Sequence, residues 1–580
     1  MIPPLMRFPR LPLHSFAIAI RMTSGQRVRV ASGTSSSGRR VPGLGIAVIA
    51  VMLAALVHTK AGAASLSETI DREIKAVWSR EKLTPPERSS DAAFQRRIYL
   101  DLVGMIPGWE ETTMFLADTD PQKRAKLIDK LLADPRYGRH QAQVFDLGML
   151  TRDHKLVDGT VGHRTRGRFR EWLARQFETN EPYDRIAAKI LQAEEDGSQL
   201  YFAVYANTDE MVAAVSRFFL GTQIQCAKCH DHPFETWTQK DYHGMAGFFA
   251  RTVSMEAPGK PEVTNQKGKQ YLVGEKAVGD ALFSLEEVDP KTKKKKTIPI
   301  KPKFLKGDEL KEPEPAKDYV EAKLKPNELP PKPAFSRRQK FVEWMIGKDN
   351  PFFAKTSVNR VWAQFMGRGF VHPVDDFSSS STPSHPALLK AMETELVAHK
   401  FDLKWLIREI VNSHAYQAAD LGDAKDAMPR FYERAPVRPL SVEELTASLH
   451  IAMGLGGEAA LSAEPNQQML QYLGKPTDGQ GRFQGSLTEH LFFHNGEGFR
   501  GMCKPAKGNL AEQLLKGTED WGKKVERMFL SILSRPPAGE EREQFVQYLS
   551  ADGNDPKLAA QRIEDAMWVL VSSSEFRFNK

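Results

Sequence analysis

Two of the three cysteines of the chain lie in one pentapeptide, Cys226-Ala227-Lys228-Cys229-His230. Two thiols at this spacing can reach the two vinyl groups of one porphyrin, and the adjacent imidazole can bind the porphyrin iron. The C-x-x-C-H pattern is therefore typical of covalent c-type haem attachment. With only 3 Cys and 15 His in 580 residues, chance is a poor explanation for the match. We predict thioether bonds at Cys226 and Cys229, with His230 as the proximal ligand of the iron.

Three interpretations of this pentapeptide remain open on the residues alone. In the haem interpretation, the distal ligand would be Met245 or His243. In a zinc interpretation, the two cysteines have the usual ligand spacing, and two of His230, His232 and His243 would complete a tetrahedral shell. In the third interpretation the cysteines are a structural pair without a ligand, because a C-x-x-C pair oxidises readily in an oxidising compartment.

Residues 1–63 have the composition of an export signal. They contain eight basic residues and no Asp or Glu, and Arg39-Arg40 precede an uncharged apolar run from Val41 to Val57. The small residues Ala61-Gly62-Ala63 then form a cleavage pattern. Because a membrane span needs about 20 apolar residues, the run is short for an anchor. We expect a periplasmic or cell-surface protein, which contacts a membrane only if this signal stays uncleaved as an N-terminal anchor.

The eight basic residues of the N-terminus account for the whole formal charge of +8. The rest of the chain is neutral, which excludes the general electrostatic footprint of a nucleic-acid-binding protein. Three cysteines are too few for a disulfide scaffold. The sequence contains no Walker loop, no G-x-S-x-G elbow and no H-E-x-x-H helix. No catalytic constellation is recognisable, so enzymatic activity stays an open question.

Hydrophobic periodicity and composition divide the chain after the signal into three parts. Residues 65–251 predict a helical domain, in which the helix Asp209–Ile224 delivers the chain to Cys226. Residues 252–335 are rich in proline and lysine, which predicts a small β-rich inserted lobe and linker at the periphery of the protein. Residues 336–580 predict a second helical domain, where Ser441 and Glu444 form a capping box. The expected fold is mainly α.

A polar segment of the second helical domain is a weaker candidate site. Asp375-Asp376 and the loop Ser378–Pro383, together with His385, could line a cleft. The simpler interpretation is a helix start with Ser384 as its N-cap.

Several segments of the chain resemble a known pair of domains. Before the lobe, the resemblance is to the planctomycete cytochrome-like domain of unknown function (domain-of-unknown-function family 1549), at Phe94–Gly104 (FQRRIYLDLVG), Lys123–Pro135 (KRAKLIDKLLADP) and Phe219–Phe249, which contains the pentapeptide. After the lobe, it is to the usual C-terminal partner domain (domain-of-unknown-function family 1553), at Asn350–Phe377, Ser384–Pro386, Leu406–Tyr416 and Trp568–Asn579. The resemblance implies an exported protein with cytochrome-like behaviour, and it leaves the biochemical function open.

These observations predict an exported c-type haem protein that acts in electron transfer, or as the redox subunit of an extracytoplasmic enzyme system with a partner protein. The alternative is a non-redox extracytoplasmic scaffold or carbohydrate-associated binding protein, with a structural cysteine pair or a zinc site. Asn359, Arg360 and Trp362, which resemble positions of the C-terminal domain, are expected to fix helix packing. Cys503 is a lone thiol with no evident partner.

Overall fold

The computed structural model describes residues 64–580 except for short gaps at 85–86, 151–158, 206, 258–269, 280–283, 289–290, 315–318, 321–322, 326–327, 421–428, 458–459, 461–466, 474–490, 494–495 and 552–554. The predicted export signal and its cleavage pattern lie outside the described residues. Within the described ranges, no helix combines the length and the apolar character that crossing a membrane requires.

The part of the chain before the lobe is helical. Its helices are α1 (Leu66–Glu81), α2 (Asp91–Val103), α3 (Trp109–Ala117), α4 (Lys123–Ala133), α5 (Pro135–Leu150), α6 (Gly159–Glu178), α7 (Tyr183–Gln192), α8 (Leu200–Val204), α9 (Thr208–Leu220) and α10 (Gln239–Gly247). A short 3-10 helix, Gln225–Lys228, lies between α9 and α10.

The lobe contributes four short strands, β1 (Thr252–Glu256), β2 (Tyr271–Glu275), β3 (Ser284–Val288) and β4 (Lys295–Pro299). They form two antiparallel pairs, β1 with β2 and β3 with β4. The predicted fold class is thereby confirmed, because helices dominate on both sides of a small β-containing insertion.

Helices return after the lobe. They are α11 (Arg337–Met345), α12 (Phe353–Met366), α13 (Pro386–Ala398), α14 (Leu403–Asn412), α15 (Val442–Ala452), α16 (Gln467–Leu473), α17 (Glu497–Gly501), α18 (Leu510–Lys516), α19 (Trp521–Ile532), α20 (Gly539–Ser550), α21 (Pro556–Val571) and α22 (Ser574–Arg577). Two further strands, β5 (Arg438–Pro439) and β6 (Phe578–Asn579), pair with each other in antiparallel register.

Local sequence signals explain where several of these helices begin. The capping box predicted at the start of α15 is present, because the Ser441 hydroxyl accepts the N–H of Glu444 at 3.1 Å and the Glu444 carboxylate accepts the N–H of Ser441 at 2.7 Å. The same reciprocal pair, Ser65 with Glu68, starts α1. Such a box satisfies two of the backbone donors that a helix N-terminus leaves without partners.

Two hydrophobic cores lie within the compact unit Ala64–Lys580. The first core combines the helices before the lobe with α11–α14, so residues such as Phe249 and Phe341 pack together across the lobe insertion, with ring centroids 5.1 Å apart. The second core belongs mainly to α15–α22, and α2 contributes Leu100 to it. The two predicted helical regions therefore share apolar surface instead of each enclosing its own core.

One part of the lobe is not peripheral, which corrects the expectation from its composition. Leu305 and Leu310, 1% and 8% exposed, belong to the first core. Lys303 forms an ion pair with Asp241 of α10 at 2.5 Å, and the Pro302–Lys303 backbone packs against glycines of that helix. Composition averaged over the lobe hides these apolar residues, because they are concentrated in one short stretch.

Candidate functional site

The helix that delivers the chain to the cysteines ends earlier than predicted. α9 begins after Asn207, whose side-chain oxygen accepts a backbone N–H of the first turn at 2.8 Å. It ends at Gly221, which has left-handed backbone (φ 61°) and where a Cβ atom would lie 2.6 Å from the Thr356 hydroxyl oxygen. The predicted end at Ile224 is therefore wrong. Glycine permits both the left-handed backbone and the close approach, and the chain leaves the helix there.

Both cysteines of the pentapeptide are exposed and neither is in a disulfide bond. Between them, Ala227 is fully buried, and the Lys228 ammonium pairs with the Asp209 carboxylate at 2.6 Å. The 3-10 helix is thus anchored on one side by Ala227 and presents the thiols of Cys226 and Cys229 to solvent.

Cys503 has the opposite environment. It is fully buried in the second core, and burial raises the pKa of its thiol to about 12. Since the thiolate is the reactive form of cysteine, this thiol is chemically inert near neutral pH. The structure therefore separates the lone cysteine of the sequence from the exposed pair.

His230 is exposed, and its ring orientation is fixed by one hydrogen bond. The Nδ1 atom lies 2.8 Å from the backbone carbonyl oxygen of Asp231. A carbonyl oxygen can only accept, so in the neutral ring Nδ1 carries the hydrogen and Nε2 keeps its lone pair. This is the arrangement of a metal-ligating histidine, which donates its other ring N–H to a carbonyl or carboxylate.

His232 is held in the opposite way. Its Nδ1 atom accepts the backbone N–H groups of Phe234 at 3.3 Å and of Glu235 at 3.0 Å. The neutral ring must therefore carry its hydrogen on Nε2. Binding zinc through Nε2 would require His232 to lose that hydrogen or its backbone contacts, so its present role is to shape the turn after the pentapeptide.

The two predicted distal ligands lie on α10 and are both buried. Met245 is 0% exposed and belongs to the first core. His243 is 7% exposed, and its Nε2 atom lies 3.2 Å from the carbonyl oxygen of Lys228. Burial lowers the pKa of this imidazole. In this conformation His243 supports the cysteine turn from inside, and a distal role for either residue would require α10 to repack.

The ligand set of the zinc interpretation is not assembled. In the portion of the chain that the structure describes, no three or more His, Cys, Asp or Glu side chains converge so that they could hold a metal ion. The two cysteines and His230 point to solvent from one short turn, whereas His243 is buried behind it.

Helix α12, from the second predicted domain, supports the cysteine segment. The Arg360 guanidinium donates to the carbonyl oxygens of Arg217 and Phe218 at 3.5 and 3.3 Å. It also lies 4.1 Å from the centroid of the Phe218 ring. In addition, the N–H of Phe377 donates to the carbonyl oxygen of Gly221 at 2.9 Å. These contacts satisfy carbonyl groups at the end of α9 and fix the direction in which the chain leaves the helix.

The packing role expected for the neighbours of Arg360 is confirmed. Asn359 is fully buried, and its amide donates to the carbonyl oxygens of Val371 and Val374 at 2.9 and 3.1 Å. Trp362 stacks on Phe370 with ring centroids 4.5 Å apart. Asn359 thereby fixes the loop that leads to Asp375-Asp376.

A cleft of about 270 Å³ lies between this loop and the turn that follows the pentapeptide. The Glu235–Asp376 cleft, as we call it, is lined by Thr222, Gln223, His232, Phe234, Glu235, Trp237, Asp376, Phe377, Ser378 and Ser380. Across it, the Glu235 carboxylate accepts the N–H and the hydroxyl of Ser379, each within 3.1 Å. The predicted serine loop therefore does line a cleft, and the second wall is the segment 232–237.

The electrostatics of the cleft are acidic. The pKa of Asp376 is raised by partial burial and by the neighbouring charges of Asp375 and Glu235. The sequence pattern points to Asp376 but not to Glu235. The sequence signal for Glu235 is its position shortly after the pentapeptide, inside the segment that resembles the first family.

His385 does not line this cleft. It is 2% exposed, lies among aromatic rings that include Tyr432, and its Nδ1 atom is 3.0 Å from the Ser384 hydroxyl. Burial lowers its pKa to about 4. The residue before α13 is His385, so the predicted N-cap at Ser384 is wrong by one residue.

Comparison with known protein families gives one match before the lobe and one match after it. The model of PSCyt2, a protein of unknown function (DUF1549), matches residues 69–254. The model of PSD1, a protein of unknown function (DUF1553), matches residues 337–495. No curated protein and no solved structure matches the chain. The pentapeptide and Glu235 fall in the first match, and Arg360 and Asp376 fall in the second. The chain therefore contains a PSCyt2 (DUF1549) domain followed by a PSD1 (DUF1553) domain.

Proposed function

We propose that the chain is an exported c-type haem protein, which acts in electron transfer or as the redox subunit of an extracytoplasmic enzyme system. One observation carries the proposal: the two exposed thiols lie beside an exposed imidazole whose Nδ1–H is already bound to a carbonyl oxygen. That combination leaves the groups that covalent haem attachment uses, two thiols and the Nε2 atom of one imidazole, without a hydrogen-bond partner among the described residues.

The residues of the pentapeptide fit a haem group. Each thiol would add its S–H across one vinyl group, so that sulfur bonds to one carbon and the hydrogen goes to the other. His230 would hold the iron through Nε2, with the Asp231 carbonyl keeping the ring oriented. When bound, haem iron supplies a one-electron redox couple. Because Met245 and His243 are buried, His230 is the candidate iron ligand that is accessible in this conformation.

Export supports the same proposal, although its signal lies outside the described residues. The apolar run Val41–Val57 and the cleavage pattern Ala61-Gly62-Ala63 would direct the chain to the compartment where c-type haem is attached. The partner would be an extracytoplasmic redox or enzyme protein. Cleavage after Ala63 would leave a mature chain without excess charge.

The test is expression of the exported chain together with a cytochrome c maturation system. We expect a coloured protein whose haem stays with the polypeptide in denaturing electrophoresis. The double change Cys226→Ser and Cys229→Ser should abolish the haem stain, because no thioether can form. Cys503→Ala is the matched control, since this thiol is buried and should leave the stain unchanged.

His230→Ala should keep the stain but alter the visible spectrum, because the thioethers remain while the proximal nitrogen is lost. A colourless protein after maturation would contradict the proposal. If such a protein contained stoichiometric zinc that the double cysteine variant loses, the zinc alternative would replace it. A colourless protein without metal would favour the non-redox scaffold or carbohydrate-associated binding protein.

A further inference from the structure

The Glu235–Asp376 cleft has an unusual charge balance for a partly enclosed site. Its ten lining residues include two carboxylates and no lysine or arginine. Of the basic side chains around it, Lys228 pairs with Asp209 at 2.6 Å and Arg217 pairs with Asp375 at 3.3 Å, whereas Lys306 and Lys355 lie against two of the lining rings. Within the described residues, neither Glu235 nor Asp376 has an ion-pair partner. The two carboxylates of the lining are therefore available to attract a cation.

The carboxylate of Glu235 is also held in a fixed position. Ser379 donates its N–H to both carboxylate oxygens, at 2.9 and 3.1 Å, and its hydroxyl to Oε1 at 2.8 Å. Asp376 has a hydrogen bond to the Ser378 side chain. Because both acids are oriented before any ligand arrives, less conformational entropy is lost when a cation binds.

Aromatic rings form the other part of the lining, and two of them already attract cations of this chain. The Lys306 ammonium lies 5.3 Å from the centroid of Trp237, and the Lys355 ammonium lies 4.6 Å from the centroid of Phe377. The third ring, Phe234, is 86% exposed. A ring in this position gives a cation a π face beside the carboxylates.

We propose that the Glu235–Asp376 cleft binds an organic cation, a guanidinium or primary ammonium group, between its two carboxylates and the ring of Phe234. The volume of about 270 Å³ suits one such group and its aliphatic stem, and the open mouth allows the remainder of the ligand to stay in solvent. Two sources share this chemistry: a free amine, or the arginine or lysine side chain of another protein.

The test uses calorimetric titration of the purified protein with a matched pair of peptides. One is N-acetyl-Gly-Arg-Gly-amide and the other carries citrulline, a neutral isostere, in place of arginine. We expect the arginine peptide to bind at least about tenfold more tightly, because a charge-assisted hydrogen bond is lost in the isostere. Agmatine identifies the source. Equal affinity for agmatine indicates a free-amine ligand, and clearly weaker binding of agmatine indicates a side chain of a protein.

Variants then locate the binding. Asp376→Asn should weaken binding of the arginine peptide by about tenfold, whereas the control Glu286→Gln, at an exposed acid of β3, should leave it unchanged. Phe234→Ala should also weaken binding, and its exposure means that the substitution leaves the core intact. Binding should persist in the double Cys226→Ser, Cys229→Ser variant, so this test is independent of haem attachment.

Three outcomes would overturn the proposal. The first is equal affinity for the arginine and citrulline peptides. The second is an effect of Asp376→Asn no larger than that of Glu286→Gln, with circular dichroism showing that both variants are folded. The third is binding of glucose, a neutral polyol, that depends on Asp376 while the arginine peptide does not bind.

Discussion

His140, on α5, is a buried titratable group that links stability to pH. It is 6% exposed, and burial lowers the pKa of its imidazole to about 4, although the charge of Glu444 opposes that shift. Arg438 and Glu443 are the other charged groups that face it, and the backbone of Asp101 forms a hydrogen bond with the ring. The ring packs so closely against Gly104 that a Cβ atom there would lie 2.4 Å from Nδ1. The folded state therefore keeps this imidazole neutral.

Because the folded pKa lies below the ordinary value of 6.5, the contribution of His140 is fully present above pH 6.5. As the pH falls from 6.5 towards 4, the unfolded chain binds a proton at this imidazole and the folded chain does not. The free energy of unfolding should therefore fall by up to about 3 kcal/mol. Urea unfolding at pH 7, 5.5 and 4.5 measures this loss. His140→Gln should flatten the pH dependence in this window, and His399→Gln, at an exposed histidine, should not. Parallel curves for the parent and His140→Gln would contradict the prediction.

At the scale of elements, sequence periodicity predicts the existence of helices better than their ends. The apolar stripe of α9 continues to Ile224, but the helix ends at Gly221, where Thr356 of a distant segment comes within van der Waals contact. Hydrophobic periodicity cannot reveal such a contact, because the contact depends on packing between segments far apart in sequence. The capping box at Ser441 is predicted correctly, since both of its partners lie within four residues.

Arg360 of α12 couples the two domains at the end of α9. Arg360→Ala should lower the free energy of unfolding by about 2 kcal/mol, because a cation–π contact and the hydrogen bonds to two helix-terminal carbonyl groups are lost together. Amide hydrogen exchange should accelerate at residues 221–230. Arg408→Ala is the control, since its ion pair with Asp129 is exposed and should contribute less than about 1 kcal/mol. Equal losses in the two variants would refute this coupling.

At the scale of the whole molecule, the sequence predicts the order of the parts but not how they share a core. A buried charge cluster joins β5 and β6 to α2. Arg438 donates to Asp101 and to Glu444 at 2.8 Å, and Asn579 donates to Asp101 at 2.8 Å. The cysteine turn could be identified from its spacing alone. The cleft could not, because its walls are about 140 residues apart in sequence.

The core role of Leu305 gives a test of how the lobe is integrated. Leu305→Ala should destabilise the protein by about 2–4 kcal/mol, because it removes packed methyl groups from the first core and leaves a cavity. Val320→Ala, at a residue that is 84% exposed, should change the free energy of unfolding by less than about 0.5 kcal/mol. Both values come from urea denaturation. A Leu305→Ala variant as stable as Val320→Ala would restore the view of the lobe as a peripheral appendage.

The contrast between Cys503 and the exposed cysteine pair gives the protein an internal reporter of its own state. With the cysteines reduced and no cofactor attached, a polar alkylating reagent can modify two thiols of the folded chain, and all three once the second core opens. Attachment of a group through thioethers would bring the folded count to zero. The number of alkylated cysteines, counted by mass spectrometry, therefore reports whether a group is attached to the pentapeptide and whether the second core is folded. No engineered label is needed.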